Sequence, residues 1–206
     1  MKVRSALAQS TMNRIVDVTV AAIEAGGEPS LRVNDIARDS EVSVATLYHY
    51  FGDREGLVVA ARLKQFAGST GIYYEEFSRA MNAATTSDEL AVVVRAFFGQ
   101  ATSQASRAIR FLRAEIVGSS RTRPQLASAL REVQEELAAK LTAVFAGAQD
   151  RGLLRTSISA RDMAEFALAV HLGSVLTDLL AGDEDRCSSL DPIFAELINS
   201  VFLAKN

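Results

Sequence analysis

A single cysteine, Cys187, in 206 residues leaves no internal disulfide to be formed and fits a reducing compartment. Histidine is nearly as scarce. His49 and His171 stand far apart in sequence and Cys187 reads as a loop residue, so no cluster with metal-ligand spacing can be assembled from neighbours. No glycine-rich loop has the form that cradles phosphate, and no serine, histidine and acid fall into a nucleophilic arrangement. Glu75 and Glu76 are adjacent rather than on one helix face, which reads as solvated surface. These absences weigh against an all-helical enzyme and imply no cofactor and no metal site. Long apolar runs are also missing, so nothing spans a bilayer, and no segment joins a charged start, an apolar middle and a cleavage site. The expectation is a soluble, cytoplasmic chain with no membrane partner.

Positive charge is in short supply too. The net charge of −3 offers nothing in favour of a nucleic-acid partner, although the location of charge matters more than its sum for groove binding. Lys2, Arg4, Arg14, Arg32, Arg38 and Arg54 lie in or near the first fifty residues, accompanied by Asp17, Glu24, Glu28, Asp35, Asp39, Glu41, Asp53 and Glu55. Only acids turned to the far side would leave a positive face. A single copy should therefore bind DNA weakly.

What is present is helical patterning. Nearly half the residues are hydrophobic, 49%, enough for a sizeable core, and the length suits one small domain plus one larger one. No segment shows a convincing period of two. The punctuation by glycine and proline divides the chain into a first helix over about residues 10–25, with Ile15, Val18, Ala22 and Ile23 on its apolar face and Gly26-Gly27 at its end, and further helices near 88–104, 106–118, 123–150, 159–181 and 190–204. The fold class is all-α. The domain boundary is placed between 1–53 and 54–206, with Asp53 capping a helix that begins at Arg54 and carries Leu57, Val58, Ala61 and Leu63.

Val33 to Arg54 is the most informative stretch. Ile36 and Ala37 give a first short helix one branched and one small residue, so a second helix can cross closely. Ser40-Glu41-Val42 interrupts the pattern, with Val42 plugging the corner, and Ser43 offers its hydroxyl as the N-cap of the next helix. Leu47 and Tyr50 then face back, while Ser43, Val44, Thr46 and His49 point outward as a short, weakly charged face that fits a major groove.

Arg14-Ile15, Ala21-Ala22, Gly26, Asp35-Ile36-Ala37, Val42-Ser43, Thr46-Leu47-Tyr48, Tyr50-Phe51 and Arg54-Glu55-Gly56-Leu57 together resemble the N-terminal domain of TetR-family transcriptional regulators over roughly residues 11–60. Gln149-Asp150-Arg151-Gly152-Leu153-Leu154 resembles the family more loosely. The resemblance implies an N-terminal three-helix helix-turn-helix domain followed by a larger helical bundle for ligand binding and dimerisation. Carried over position by position, it implies DNA contacts from Val44, Ala45 and Thr46, contacts to bases or backbone from Tyr48, His49 and Tyr50, and a phosphate contact from Arg54. Ser43 and Asn34 complete that candidate set, and Phe51 belongs to the core. Two departures stand out: Glu41 occupies a turn position where the family has glycine and a positive φ is common, and Arg32 replaces the usual cap of the first short helix, leaving Ser30 as a substitute.

In the remainder, Leu126, Leu130, Val133, Leu137, Leu141 and Val144 mark an amphipathic helix. The helix over 159–181 is apolar nearly all round, and the last helix carries a clean stripe. Such faces suit a four-helix dimer interface, for which Phe166, Val170, Val175, Leu179, Ile193, Phe194, Leu197 and Val201 are the candidates; the resemblance implies the same homodimer. Phe66, Tyr73, Phe77, Phe97, Phe111, Glu115, Phe145, Phe166 and His171 are candidates for a pocket holding a small-molecule effector; Tyr74, Phe98 and Arg110 accompany them. The functional expectation is a DNA-binding regulator of transcription, a repressor released from a palindromic operator in double-stranded DNA by that effector. A ligand-dependent activator and a helical protein-interaction module that does not bind DNA are the alternatives.

Overall fold

The computed structural model describes residues 2–181 and 187–203. They form α1 (Lys2–Gly26), α2 (Val33–Asp39), α3 (Val44–Phe51), α4 (Arg54–Ala83), α5 (Ser87–Thr102), α6 (Arg107–Ser120), α7 (Pro124–Asp150), α8 (Ala160–Gly173), α9 (Val175–Ala181) and α10 (Cys187–Leu197), the last followed by a π turn over Ile198–Phe202. Among the described residues the only extended pairing is an isolated antiparallel bridge between Leu154 and Leu203. No described helix is long and apolar enough to cross a membrane.

Contacts divide the chain into two units. One comprises the residues up to Gly68 together with Ser120–Ala129; the other comprises Ser69–Ser119 and the residues from Leu130 onward. The N-terminal unit thus reaches beyond residue 53. Leu57, Val58 and Ala61, in the first turns of α4, are buried with Ile15 and Ile23 of α1, Ile36 and Ala37 of α2 and Leu47 of α3. Full burial of each large apolar side chain contributes roughly 1.5–3 kcal/mol, so α4 cannot be separated from that core without loss.

The second unit is built on stacked aromatic rings. Phe77 lies 4.0 Å from Phe97, and Phe98 lies 5.4 Å from Phe194. Its helices start on well-formed caps: Thr86 and Glu89 make a reciprocal capping box on α5, and the Ser159 hydroxyl accepts from the Asp162 N–H at 3.0 Å on α8.

Several element boundaries differ from the sequence expectation. The first helix begins at Lys2 rather than near residue 10. The segment 159–181 is broken at Ser174, whose hydroxyl donates to the Val170 carbonyl at 2.7 Å while its own carbonyl accepts from Thr177 Oγ1 at 2.7 Å; such local bonds compete with the helical ladder. Cys187, expected in a loop, opens α10.

Candidate nucleic-acid interface and cavity

The turn between α2 and α3 is a Schellman motif. The Glu41 N–H donates to the Arg38 carbonyl at 3.0 Å and the Val42 N–H to the Ala37 carbonyl at 2.9 Å, which satisfies the carbonyls that α2 leaves open. The motif demands a left-handed residue, and Glu41 takes it with φ 54°, the one non-glycine residue at positive φ among the described residues. The end of α7 shows the same pair of bonds, Gly152 to Gln149 and Leu153 to Ala148, with glycine at the left-handed position. Glu41 therefore strains the helix-turn-helix corner without reshaping it, at a cost of about 1–2 kcal/mol. Arg32 precedes α2 with no side-chain cap, and the Ser30 hydroxyl donates instead to the Gly27 carbonyl, so the substitute cap is not made.

α3 starts as expected. The Ser43 hydroxyl accepts from the Thr46 N–H at 3.0 Å and lies 2.8 Å from the Thr46 hydroxyl. Leu47 is fully buried, while Ser43, Ala45, Tyr48 and His49 are exposed, as is Asn34 on α2. Val44, Thr46 and Tyr50 are half-buried, Val44 and Tyr50 packing with Phe51 and Val42 against the core. The face that α3 offers is thus narrower than its sequence suggests. Gly52, at φ 80°, ends α3, and Gly56 follows in the first turn of α4, where a Cβ would stand 2.0 Å from the Phe51 carbonyl oxygen. The Asp53 carboxylate caps α4 by accepting from the Gly56 N–H at 2.8 Å.

Arg54 is half-buried. Its Nη2 donates to the Glu28 carbonyl at 2.5 Å and its Nε to the Leu31 carbonyl at 3.5 Å, so it ties α4 to the chain entering α2. This commitment to distant carbonyls is what the sequence could not show. Beside it lies a buried charge cluster. The Glu28 carboxylate accepts from Arg62 Nε at 2.6 Å, Arg123 Nη2 at 2.5 Å and Arg123 Nη1 at 3.1 Å, and Arg123 also reaches Glu55 at 3.2 Å. Hydrogen bonding from Arg123, then from Arg62, holds the Glu28 carboxyl below the usual carboxylate range against the opposing effect of burial.

The second unit contains a cavity of about 60 Å³. Its apolar lining residues include Phe97, Ile109, Leu137, Leu141 and Leu168, and its polar ones Tyr74, Gln100, Arg110, Arg113 and His171. Arg110 is held by Asp178 through Nε–Oδ2 at 2.7 Å and Nη2–Oδ1 at 2.6 Å, both side chains being buried. His171 Nδ1 lies 2.7 Å from the Ala167 carbonyl and must donate to it, which leaves Nε2 an acceptor. Burial, reinforced by the charges of Arg113 and Arg110, pushes this imidazole down to about 4, so it is neutral at physiological pH. Burial likewise pushes the Arg113 guanidinium down to about 10.

Of the candidate pocket residues, Phe97 and His171 line this cavity together with Tyr74 and Arg110. Phe77 and Phe145 are buried in the aromatic core, and Phe66 is buried in the N-terminal unit. Phe111 and Glu115 are exposed, with Arg107 5.8 Å over the Phe111 ring. The Tyr73 side chain lies outside the described residues, as does that of Val201. Arg113 and Gln100 are cavity residues that sequence reasoning passed over; the recurrence of arginine at 110 and 113 on one helix face was the available signal.

Of the candidate interface residues, Phe166, Leu179 and Ile193 are exposed, Val170, Val175 and Leu197 are half-buried, and Phe194 is buried in its own chain's core against Phe98. Leu176 joins the exposed set. Among the described residues no group of three metal-ligating side chains is brought together.

Residues 15–61 match the family model described as bacterial regulatory proteins, tetR family. A comparison with curated proteins finds no match. Among solved structures, the fold is similar to a TetR-family transcriptional regulator from Mesorhizobium loti (TM-score 0.73, 19% identity, 96% of this chain and 98% of that one covered). It is also similar to a TetR-family transcriptional regulator from Rhodococcus sp. (0.65, 20%, 94% and 98%). A third likeness is to the transcriptional regulator FadR from Bacillus subtilis in complex with stearoyl-CoA (0.59, 17%, 91% and 97%).

Proposed function

We propose that the chain is a regulator of the TetR family, a homodimeric, cytoplasmic, non-enzymatic repressor that grips a palindromic operator through α3 and releases it when a small molecule fills the cavity of the larger unit. The observation that carries this reading is the mounting of α3. A two-bond Schellman turn, a serine cap and a wholly buried Leu47 hold the helix, and Ala45, Tyr48 and His49 are left exposed where base edges and phosphates can be met. Arg54 serves here as a positioning residue.

Dimerisation is supported by apolar side chains left in solvent on α8 to α10, with Leu179 67% and Ile193 56% exposed. Twofold pairing through that face presents two copies of α3 to two half-sites. Release is a population shift. A cavity of about 60 Å³ holds only a few waters, so an organic ligand favours a conformation in which it is larger. Ser69 and Tyr74 of the cavity lining stand on α4, the helix whose first turns are buried with Leu47 of α3 in the N-terminal core.

Selection of bound fragments from random duplex DNA with the purified protein tests the reading. An enriched palindrome that is lost with His49→Ala is expected. Enrichment of no palindrome overturns the proposal.

A further inference from the structure

We infer that the cavity takes a small organic anion with an apolar body, in the simplest case a monocarboxylate, and that Arg113 recognises its charged end. The inference rests on the cavity being the effector site and adds the chemistry of what enters it.

Three observations converge. First, α6 delivers Arg110 and Arg113 to the same wall from successive turns, and none of the described residues that line the cavity is acidic. The nearby acid, Asp178, is engaged by Arg110 in a two-pronged pair, and Arg110 Nη1 also donates to the Ser103 carbonyl at 2.9 Å. Second, the field at the wall is positive where it can be read: the charges of Arg113 and Arg110 both act to disfavour protonation of His171, whose ring packs 4.4 Å from that of Phe97. A cationic guest meets the same repulsion, and none of the described lining residues offers it a carboxylate, whereas an anion is attracted in a partly desolvated setting. Third, much of the remaining lining is hydrocarbon, from Leu137, Leu141, Leu168 and Phe97, which suits an alkyl or aryl body. Neutral His171 adds a hydrogen-bond acceptor at Nε2, so a hydroxyl on the ligand's body is accommodated as well.

The test is calorimetric titration of the full chain with benzoate, phenylacetate and hexanoate, set against benzamide, phenylacetamide and benzylamine. Wild type is compared with Arg113→Gln, Arg113→Lys and Leu141→Trp, the last filling the cavity from its apolar side. Thermal melts confirm that each variant folds, and Arg113→Lys keeps the charge should the glutamine variant fail to fold. At least one acid should bind tenfold or more tighter than its amide. That preference should vanish in Arg113→Gln and survive in Arg113→Lys, and the acid should be excluded by Leu141→Trp. Amides or the amine binding as well as the acids overturns the anion inference and leaves the effector-site reading standing. Acid binding indifferent to Arg113→Gln or to Leu141→Trp overturns it as well. If no probe of any charge binds, both readings fall together.

Discussion

Glu28→Gln removes the charge on which two arginines converge, and its cost can be worked from the contacts. Glu28 is 14% exposed and Arg62 6%, so this is a buried pair, with Arg123 at its rim, 24% exposed. Deleting one partner of a buried pair costs about 3–5 kcal/mol, because the remaining charge has been taken from water. Glutamine keeps an acceptor oxygen and water can reach Arg123, which puts the loss at the lower end, about 3 kcal/mol. For a chain of this length each kcal/mol lowers Tm by about 2–4 °C, so a fall of about 6–12 °C is expected in circular-dichroism melts. Arg123→Gln removes only the rim contact and should cost about 1 kcal/mol.

The pH dependence is an independent check. Because the Glu28 carboxyl is lowered in the folded state, its contribution is fully present above the ordinary value of 4.5 and is lost as pH falls through the lowered folded value. The gap between wild type and Glu28→Gln should be widest near neutrality and narrow progressively as pH falls below 4.5. A fall in Tm of less than about 2 °C, or a gap that stays constant into acid, refutes the assignment of Glu28 as the hub of the N-terminal unit.

Glu41→Gly relieves left-handed strain of about 1–2 kcal/mol but adds about 0.5–1 kcal/mol of chain entropy to the unfolded state, and the exposed 3.7 Å pair with Arg14 contributes little. A net gain of about 0.5 kcal/mol is expected in urea unfolding. Gly152→Ala, in the same motif at the end of α7, should lose about 1 kcal/mol, and the opposite ordering refutes the strain argument. Leu179→Glu should convert the proposed dimer to monomer in sedimentation and weaken operator binding by more than tenfold, with melting of the monomer little changed because the side chain is exposed. An unaltered dimer counts against the α8 to α10 face.

The helix-turn-helix was legible because its determinants are local. The cap at Ser43 and the left-handed residue at Glu41 both follow from residues within a few positions of where they act. The cavity was legible only in part. Nine aromatic and polar side chains were plausible, and whether a phenylalanine such as Phe145 fills a core or borders a void depends on helix rotation and on partners far away in sequence. The partners of Arg54 were illegible for the same reason: they are carbonyls 23 and 26 residues upstream, and no short-range pattern announces them. Glu28 passed as one surface acid among eight, yet it anchors an arginine 95 residues away.

The charge pattern gives the scarcity of basic residues its meaning. Arg38 is bound to Asp35 and Asp39, Arg14 faces Glu41, Lys64 is paired with Asp17, and Arg62 and Arg123 close on Glu28. Cations so committed form a scaffold that orients α3, and they offer phosphates little net charge. Non-specific affinity scales with the number of phosphates neutralised, so one copy of this unit is poorly equipped to linger on random DNA. Under the proposed function, affinity then has to come from base-edge contacts by a small face and from doubling that face in the proposed dimer. A regulator built in this way depends on correct spacing of its two reading helices more than a strongly basic one does.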